Sequence, residues 1–146
     1  MHRSLLLLFA AALLAQNPAP PDFSGHWEVI MEDGNLIPPY LGEKIKIEQK
    51  GSSFIITTTA EKPSTFRVAA DGKQYVNKAK HLRVTTTARW EGAALILNSV
   101  LLTPKAEKAT AKERWTLSPN GKKLSMQGYF QGPKSKQNQL LEYDRK

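Results

Sequence analysis

Only three residues carry an imidazole, His2, His26 and His81, and the chain has no cysteine. A structural or catalytic zinc site needs three or four ligands at matched spacing. Without a thiol there is no disulfide scaffold, no thiolate cluster, no cysteine nucleophile and no lipidated N-terminal Cys. His2 falls in the leader described below. His26 lies between Gly25 and Trp27, so in an extended strand it faces away from the indole, and His81 follows Lys78-Ala79-Lys80. Solvated or hydrogen-bonded rings account for both better than a one-histidine haem site. No Gly-x-Ser-x-Gly, Ser-x-x-Lys, His-Glu-x-x-His or phosphate-binding loop occurs. Glu28, Glu32 and Asp33 gather near the end of the first extended run, where exposed turn acids are the simpler reading than a catalytic pair. The expectation is a protein that is not an enzyme and has no metal and no cofactor.

The formal net charge of +8 allows contact with anionic polymers or lipid head groups. The lysines are scattered, however, and the densest group, Lys105, Lys108 and Lys112, is punctuated by Glu107 and Glu113. That pattern fits a solvated surface and not a nucleic-acid stripe.

Residues 1–16, MHRSLLLLFAAALLAQ, place a short basic segment before an unbroken apolar run from Leu5 to Ala15, and polar, proline-rich sequence follows. This is the layout of a secretory signal peptide. The run is about eleven residues long, against the roughly 20 a spanning helix needs. A buried N-terminal helix is the weaker alternative, because no polar face interrupts the run. The expected organisation is a leader over 1–16, a linker over 17–22 and one domain over 23–146. After cleavage no transmembrane segment remains, and a periplasmic or secreted monomer is expected. Lacking disulfides, its roughly 130 residues depend on burial, which covers about two-thirds of the unfolded surface at that size.

Turn residues then divide the chain at short intervals: Asp33-Gly34, Lys50-Gly51, Asp71-Gly72, Glu91-Gly92, Pro119-Asn120-Gly121 and Gly132-Pro133. Between them the polarity alternates with period two. Ile45 and Ile47 alternate with lysines, and Leu82, Val84, Thr86, Ala88 and Trp90 alternate with Arg83, Thr85, Thr87 and Arg89. Leu124, Met126, Gly128 and Phe130 alternate likewise with polar neighbours. Such alternation puts one set of side chains on one face of a pleated strand. Strands are predicted over 23–31, 43–50, 53–60, 64–69, 73–77, 81–90, 93–102, 110–118, 122–131 and 136–145. Sequential short links favour an all-β, antiparallel up-and-down barrel of about 8–10 strands over a Greek-key sandwich. Two segments depart from the meander. Residues 31–42 hold Pro38-Pro39 with Leu36, Ile37, Tyr40 and Leu41, and read as a lid across the barrel mouth or a plug over the core. Residues 93–102 are apolar on both faces, as in a covered strand or a patch used for association.

Asp22-Phe23-Ser24-Gly25-His26-Trp27 at the first strand, and Trp115-Thr116-Leu117-Ser118-Pro119-Asn120-Gly121 near the end, resemble the lipocalin and wider calycin families. The likeness is greatest to the small secreted lipocalin-like proteins of bacteria. The resemblance implies that Trp27 closes one end of the barrel with Arg145 packed across its ring, and that Gly25 permits a close backbone approach. The family disulfide and C-terminal helix are missing. Tyr143-x-Arg145 reverses the Arg-x-Tyr pair that grips a carboxylate in fatty-acid-binding relatives, so carboxylate recognition does not carry over.

An eight-stranded barrel has room for its own side chains or one small ligand, and more strands widen it. Phe66, Trp90, Met126 and Phe130 on inward positions, with Leu36, Ile37 and Tyr40 above them, are the candidate lining of a site for a small, largely apolar molecule. The competing reading is a pocketless cell-envelope protein whose surface binds a protein partner or an anionic surface.

Overall fold

The computed structural model describes residues 19–33, 41–59 and 63–146. The leader, and Leu36, Ile37 and Tyr40 of the expected lid, lie outside the described residues. Ten strands follow one another in the chain: β1 Gly25–Asp33, β2 Lys44–Lys50, β3 Ser53–Thr58, β4 Thr65–Ala69, β5 Tyr75–Ala79, β6 Leu82–Glu91, β7 Ala94–Leu102, β8 Lys108–Leu117, β9 Lys123–Gln131 and β10 Lys136–Arg145. All pair antiparallel in a single sheet ordered β4-β3-β2-β1-β10-β9-β8-β7-β6-β5. The expected up-and-down meander is the observed one, with the first strand against the last through Trp27↔Arg145, Glu28↔Asp144 and Val29↔Tyr143. A bulge between Val29 and Met31 shifts the register of β1, and bulges of this kind bend a strand and increase its twist.

The barrel is nearly closed. Its two edge strands, β4 and β5, share no backbone ladder, and the Asn77 side chain spans the gap. Its Nδ2 donates to the Arg67 carbonyl at 2.8 Å and its Oδ1 accepts from the Arg67 amide at 2.9 Å. One amide side chain thus satisfies both backbone groups of an edge residue that would otherwise be open to another chain.

Chain direction gives the barrel two unlike ends. The hairpins after β2, β4, β6 and β8 lie at one end, and those after β3, β5, β7 and β9, with the β1–β2 connection, at the other. The first end is shut by aromatic rings. Phe23 stacks on Trp90 with centroids 5.9 Å apart and planes 7° from parallel, and Phe54 tilts against both. Trp27 is 1% exposed and donates from Nε1 to the Phe23 carbonyl at 2.9 Å. Gln49 fastens the entering segment, accepting from the Phe23 amide and donating to the Pro21 carbonyl.

Arg145 caps this end. Its guanidinium carbon lies 4.4 Å from the centroid of the Trp27 ring, Nη1 donates to the Ser24 carbonyl and Nε to the Gly121 carbonyl. At this exposure a guanidinium over an indole contributes about 0.5–1 kcal/mol. Gly25 has φ +142°, and a Cβ there would come within 2.8 Å of Arg145 Nη1. Both the backbone conformation and the arginine therefore require glycine.

The outer face of β7 is covered at one end only. Ala94 and Ile96 are buried, and Ile96 sits in register between Arg89 and Arg114, which both pair with Glu91. Val100 and Leu102 further along are exposed. Arg67, Arg83, Arg89 and Arg114 all point outward, as their alternation implied.

Two expectations follow. Trp27→Ala should lower unfolding free energy by about 3–5 kcal/mol, the usual range for emptying a buried tryptophan site, and urea denaturation reads it directly; a loss under about 1 kcal/mol would deny the ring its role in the base. Asn77→Ala should cost about 1 kcal/mol and speed hydrogen exchange at the Arg67 amide while the amides of β7 and β8 stay protected.

Candidate functional site

At the end opposite the base, five inward-facing side chains surround a hollow: Leu82 of β6, Leu101 of β7, Ala109 of β8, Phe130 of β9 and Gln137 of β10. Lys80, Thr103, Glu107, Lys108 and Ser135 form its rim, and its volume is about 400 Å³. The size falls in the range of small-molecule sites, and the wall is mostly apolar, as such sites are. Among the described residues, β8 supplies the small Ala109 to its wall, where a larger residue would fill the barrel.

Deeper in lies a second, much smaller space of about 10 Å³, bounded by Leu41, Glu113, Met126, Gly128, Phe130, Gln139 and Leu141. Phe130 is the wall that the two spaces share. Its ring folds back over Gly128, where an added Cβ would approach ring carbon Cε2 to 2.7 Å. Glycine at 128 is thus a close-approach residue that lets the phenyl group lie along its own strand.

Two polar side chains, Glu113 and Gln139, border this mostly apolar space, which the alternation did not announce. Glu113 is 3% exposed and accepts from Trp115 Nε1 at 2.9 Å, a contact between same-face neighbours two residues apart on β8. Burial pushes its carboxyl up to about 7, with the indole hydrogen bond pulling partly the other way. Gln139 is buried, and neither its Nε2 nor its Oε1 has a hydrogen-bond partner; Gln137 Nε2 is in the same position nearer the mouth. Each such buried group costs about 1–3 kcal/mol. Higher on the β6–β7 wall, Thr86 and Ser99 satisfy each other at 2.7 Å. No lysine or arginine is buried among the described residues.

The sequence placed Glu113 among solvated charges because it sits between Lys112 and Arg114. The structure corrects this: Ala109, Ala111, Glu113, Trp115 and Leu117 share one parity, and Trp115 fixes that parity as inward. That phase was the signal available in the sequence. Gln137 and Gln139 follow in the same way from Leu141 and Tyr143 on β10. Of the proposed lining residues, Phe130 borders both spaces and Met126 the inner one. Phe66 is buried on β4 and borders neither. Trp90 lies at the closed base, stacked on Phe23 with Nε1 donating to Ser52 Oγ at 3.1 Å.

Tyr143 and Arg145 do not form a carboxylate grip. The phenol donates to the Gly42 carbonyl at 2.8 Å, and the guanidinium is spent on the base. His26 and His81 are both exposed. Among the described residues no three His, Asp or Glu side chains gather as a metal site, and no helix is long and apolar enough to cross a membrane.

No family model and no curated protein matches the sequence. Solved structures do match in fold. A secretary abundant heat soluble protein from Ramazzottius varieornatus superposes with TM-score 0.60 at 11% identity, covering 85% of this chain and 95% of that one. The REP1-NXSQ fatty acid transporter gives TM-score 0.60 at 12% identity over 84% and 95%. Apo lipid binding protein 8 from Caenorhabditis elegans gives 0.57 at 11% over 85% and 95%. The chain therefore shares its nearly closed antiparallel barrel fold with these proteins.

The buried carboxyl gives stability a pH dependence of definite sign. Its folded pKa of about 7 stands above the ordinary 4.5, so the native state holds the proton more tightly than the unfolded chain. Its contribution is complete below about pH 4.5 and is lost as pH rises through about 7. The difference is about 3 kcal/mol. Glu113→Gln keeps an acceptor for Trp115 and should remove this slope. The difference between wild-type and variant urea midpoints should therefore grow from pH 4.5 to 8, the variant being the more stable at the alkaline end. A flat difference would mean that the carboxyl is not held neutral by burial.

Proposed function

We propose that this chain is an exported, non-catalytic carrier that holds a small, largely apolar molecule in its barrel, with the tail in the mouth. The single observation that carries the reading is the hollow of about 400 Å³ walled by Leu82, Leu101, Ala109 and Phe130. A protein that worked only through its outer surface would gain by filling that end, since an unfilled apolar space forfeits packing. The names of the similar structures, a fatty acid transporter and a lipid binding protein, support the same class of cargo. Export rests on the basic start and apolar run of residues 1–16, and a periplasmic or secreted monomer is the form that reading implies.

The rim sets one lysine pair, Lys80 and Lys108, and Glu107 around an apolar throat. Such a mouth admits an uncharged chain and leaves charged groups in water.

The test is binding of Nile red, a neutral apolar fluorophore. The mature protein should bind it saturably with a blue-shifted emission. Ala109→Trp, which fills the hollow from its wall, should weaken binding by about tenfold or more, a loss of about 1.4 kcal/mol, while the unfolding temperature holds or rises. No saturable binding by the parent protein would overturn the carrier reading.

A further inference from the structure

Basic residues that are scattered along the chain come together on one outer wall of the barrel. Outward positions of β6, β7, β8 and β9 carry Arg83, Arg89, Lys108, Lys112, Arg114 and Lys123, all exposed, against a single carboxylate, Glu91. That acid is already shared between Arg89 and Arg114. Outward acids gather instead on β10, β1 and β2, at Glu142, Asp144, Glu28 and Glu48. The wall over β6–β9 therefore attracts anions, through a field that only the strand order assembles.

Across this wall the registers align Thr87, Asn98, Lys112, Tyr129 and Asn138 in one row over adjacent strands. Four steps from strand to strand make the row about 19 Å long. A trough of about 370 Å³ runs beside Thr87, Asn98, Lys112 and Tyr129, and a second of about 330 Å³ continues it from Lys112 and Tyr129 to Gln127 and Asn138. The row side chains are engaged in no hydrogen bond or ion pair among the described residues, and the Tyr129 ring is 40% exposed. β6 to β9 are paired on both sides, so no backbone is free here and a peptide cannot add as a strand. An occupant has to be anionic and narrow, and it has to bring its own dense hydrogen-bonding groups. Sugar hydroxyls match the threonine and amide side chains, a carboxylate matches Lys112, and the C–H face of a sugar ring matches the exposed phenol ring. A bilayer would call for protruding apolar side chains, and a nucleic-acid strand for several stacking rings; the row has one ring and is otherwise polar.

We propose that the outer wall along Thr87, Asn98, Lys112, Tyr129 and Asn138 binds an acidic polysaccharide, with a sugar carboxylate on Lys112 and a sugar ring against Tyr129. The site lies outside the barrel and stands independently of the carrier reading.

The experiment is binding to immobilised polygalacturonate at 0.15 M salt, where charges more than about 8 Å apart are screened from one another. The protein should bind saturably, and at least about tenfold more tightly than it binds methyl-esterified polygalacturonate, poly-L-glutamate or phosphatidylglycerol vesicles. Tyr129→Ala should weaken polygalacturonate binding by about tenfold, as truncating an aromatic anchor does, and Lys112→Gln by about fivefold through loss of a charged contact. Lys44→Gln on β2 makes the same change in net charge away from the wall and should leave binding unchanged. Both wall residues are exposed, and urea unfolding checks that each variant keeps the parent stability; if Tyr129→Ala does not, Lys112→Gln against Lys44→Gln decides. Absence of saturable binding overturns the proposal. Equal affinity for poly-L-glutamate, or equal losses in Lys112→Gln and Lys44→Gln, overturns it in favour of diffuse charge attraction. Tighter binding to the vesicles overturns it in favour of a membrane surface.

Discussion

Every other feature depends on the antiparallel pairing of the first strand with the last. β1 lies between β2 and β10, so the sheet has its termini in its middle and its free edges at β4 and β5. Curling brings those edges close enough for one asparagine to bridge them. The base is built around the same junction: Trp27 faces Arg145 across the pairing, Gly25 leaves room for the guanidinium, and Phe23 closes over Trp90. In a chain without disulfides, this cluster of rings and one arginine serves as the fastening between the ends. Among the described residues the aromatic bulk is concentrated there, and a hollow remains near the opposite end.

The interior is therefore graded along the barrel axis. Rings fill the base, amides and one carboxyl occupy the middle, and aliphatic walls surround the mouth. A core selected for stability alone would not place Gln139 and Glu113 in the middle layer, because apolar residues of the same shape avoid the desolvation cost.

Much of the architecture was legible. Alternation and turn residues placed all ten strands, most ends agreeing within about two residues, because one face of each strand is buried and the period of two is strict there. The strand predicted from residue 110 begins two residues earlier, at Lys108. The site was less legible. Trp90, with the same inward parity as Phe130, lies at the base while Phe130 lies at the mouth. Parity tells the face of a residue and not its depth in the barrel. Glu113 was hidden by neighbouring lysines, since local charge density does not distinguish the two faces of a strand that alternates them.

The sequence by itself determined the class of fold, the hairpin order and which side chains face inward, because these follow from local periodicity and turn chemistry. Only the tertiary structure decided which end is sealed, how the β4–β5 gap is bridged, and that Glu113, Gln139 and Phe130 meet in one chamber. Those outcomes depend on the register and curvature of strands distant in sequence. The physical reason is that closure converts position along each strand into depth along a common axis, and no single strand carries that coordinate.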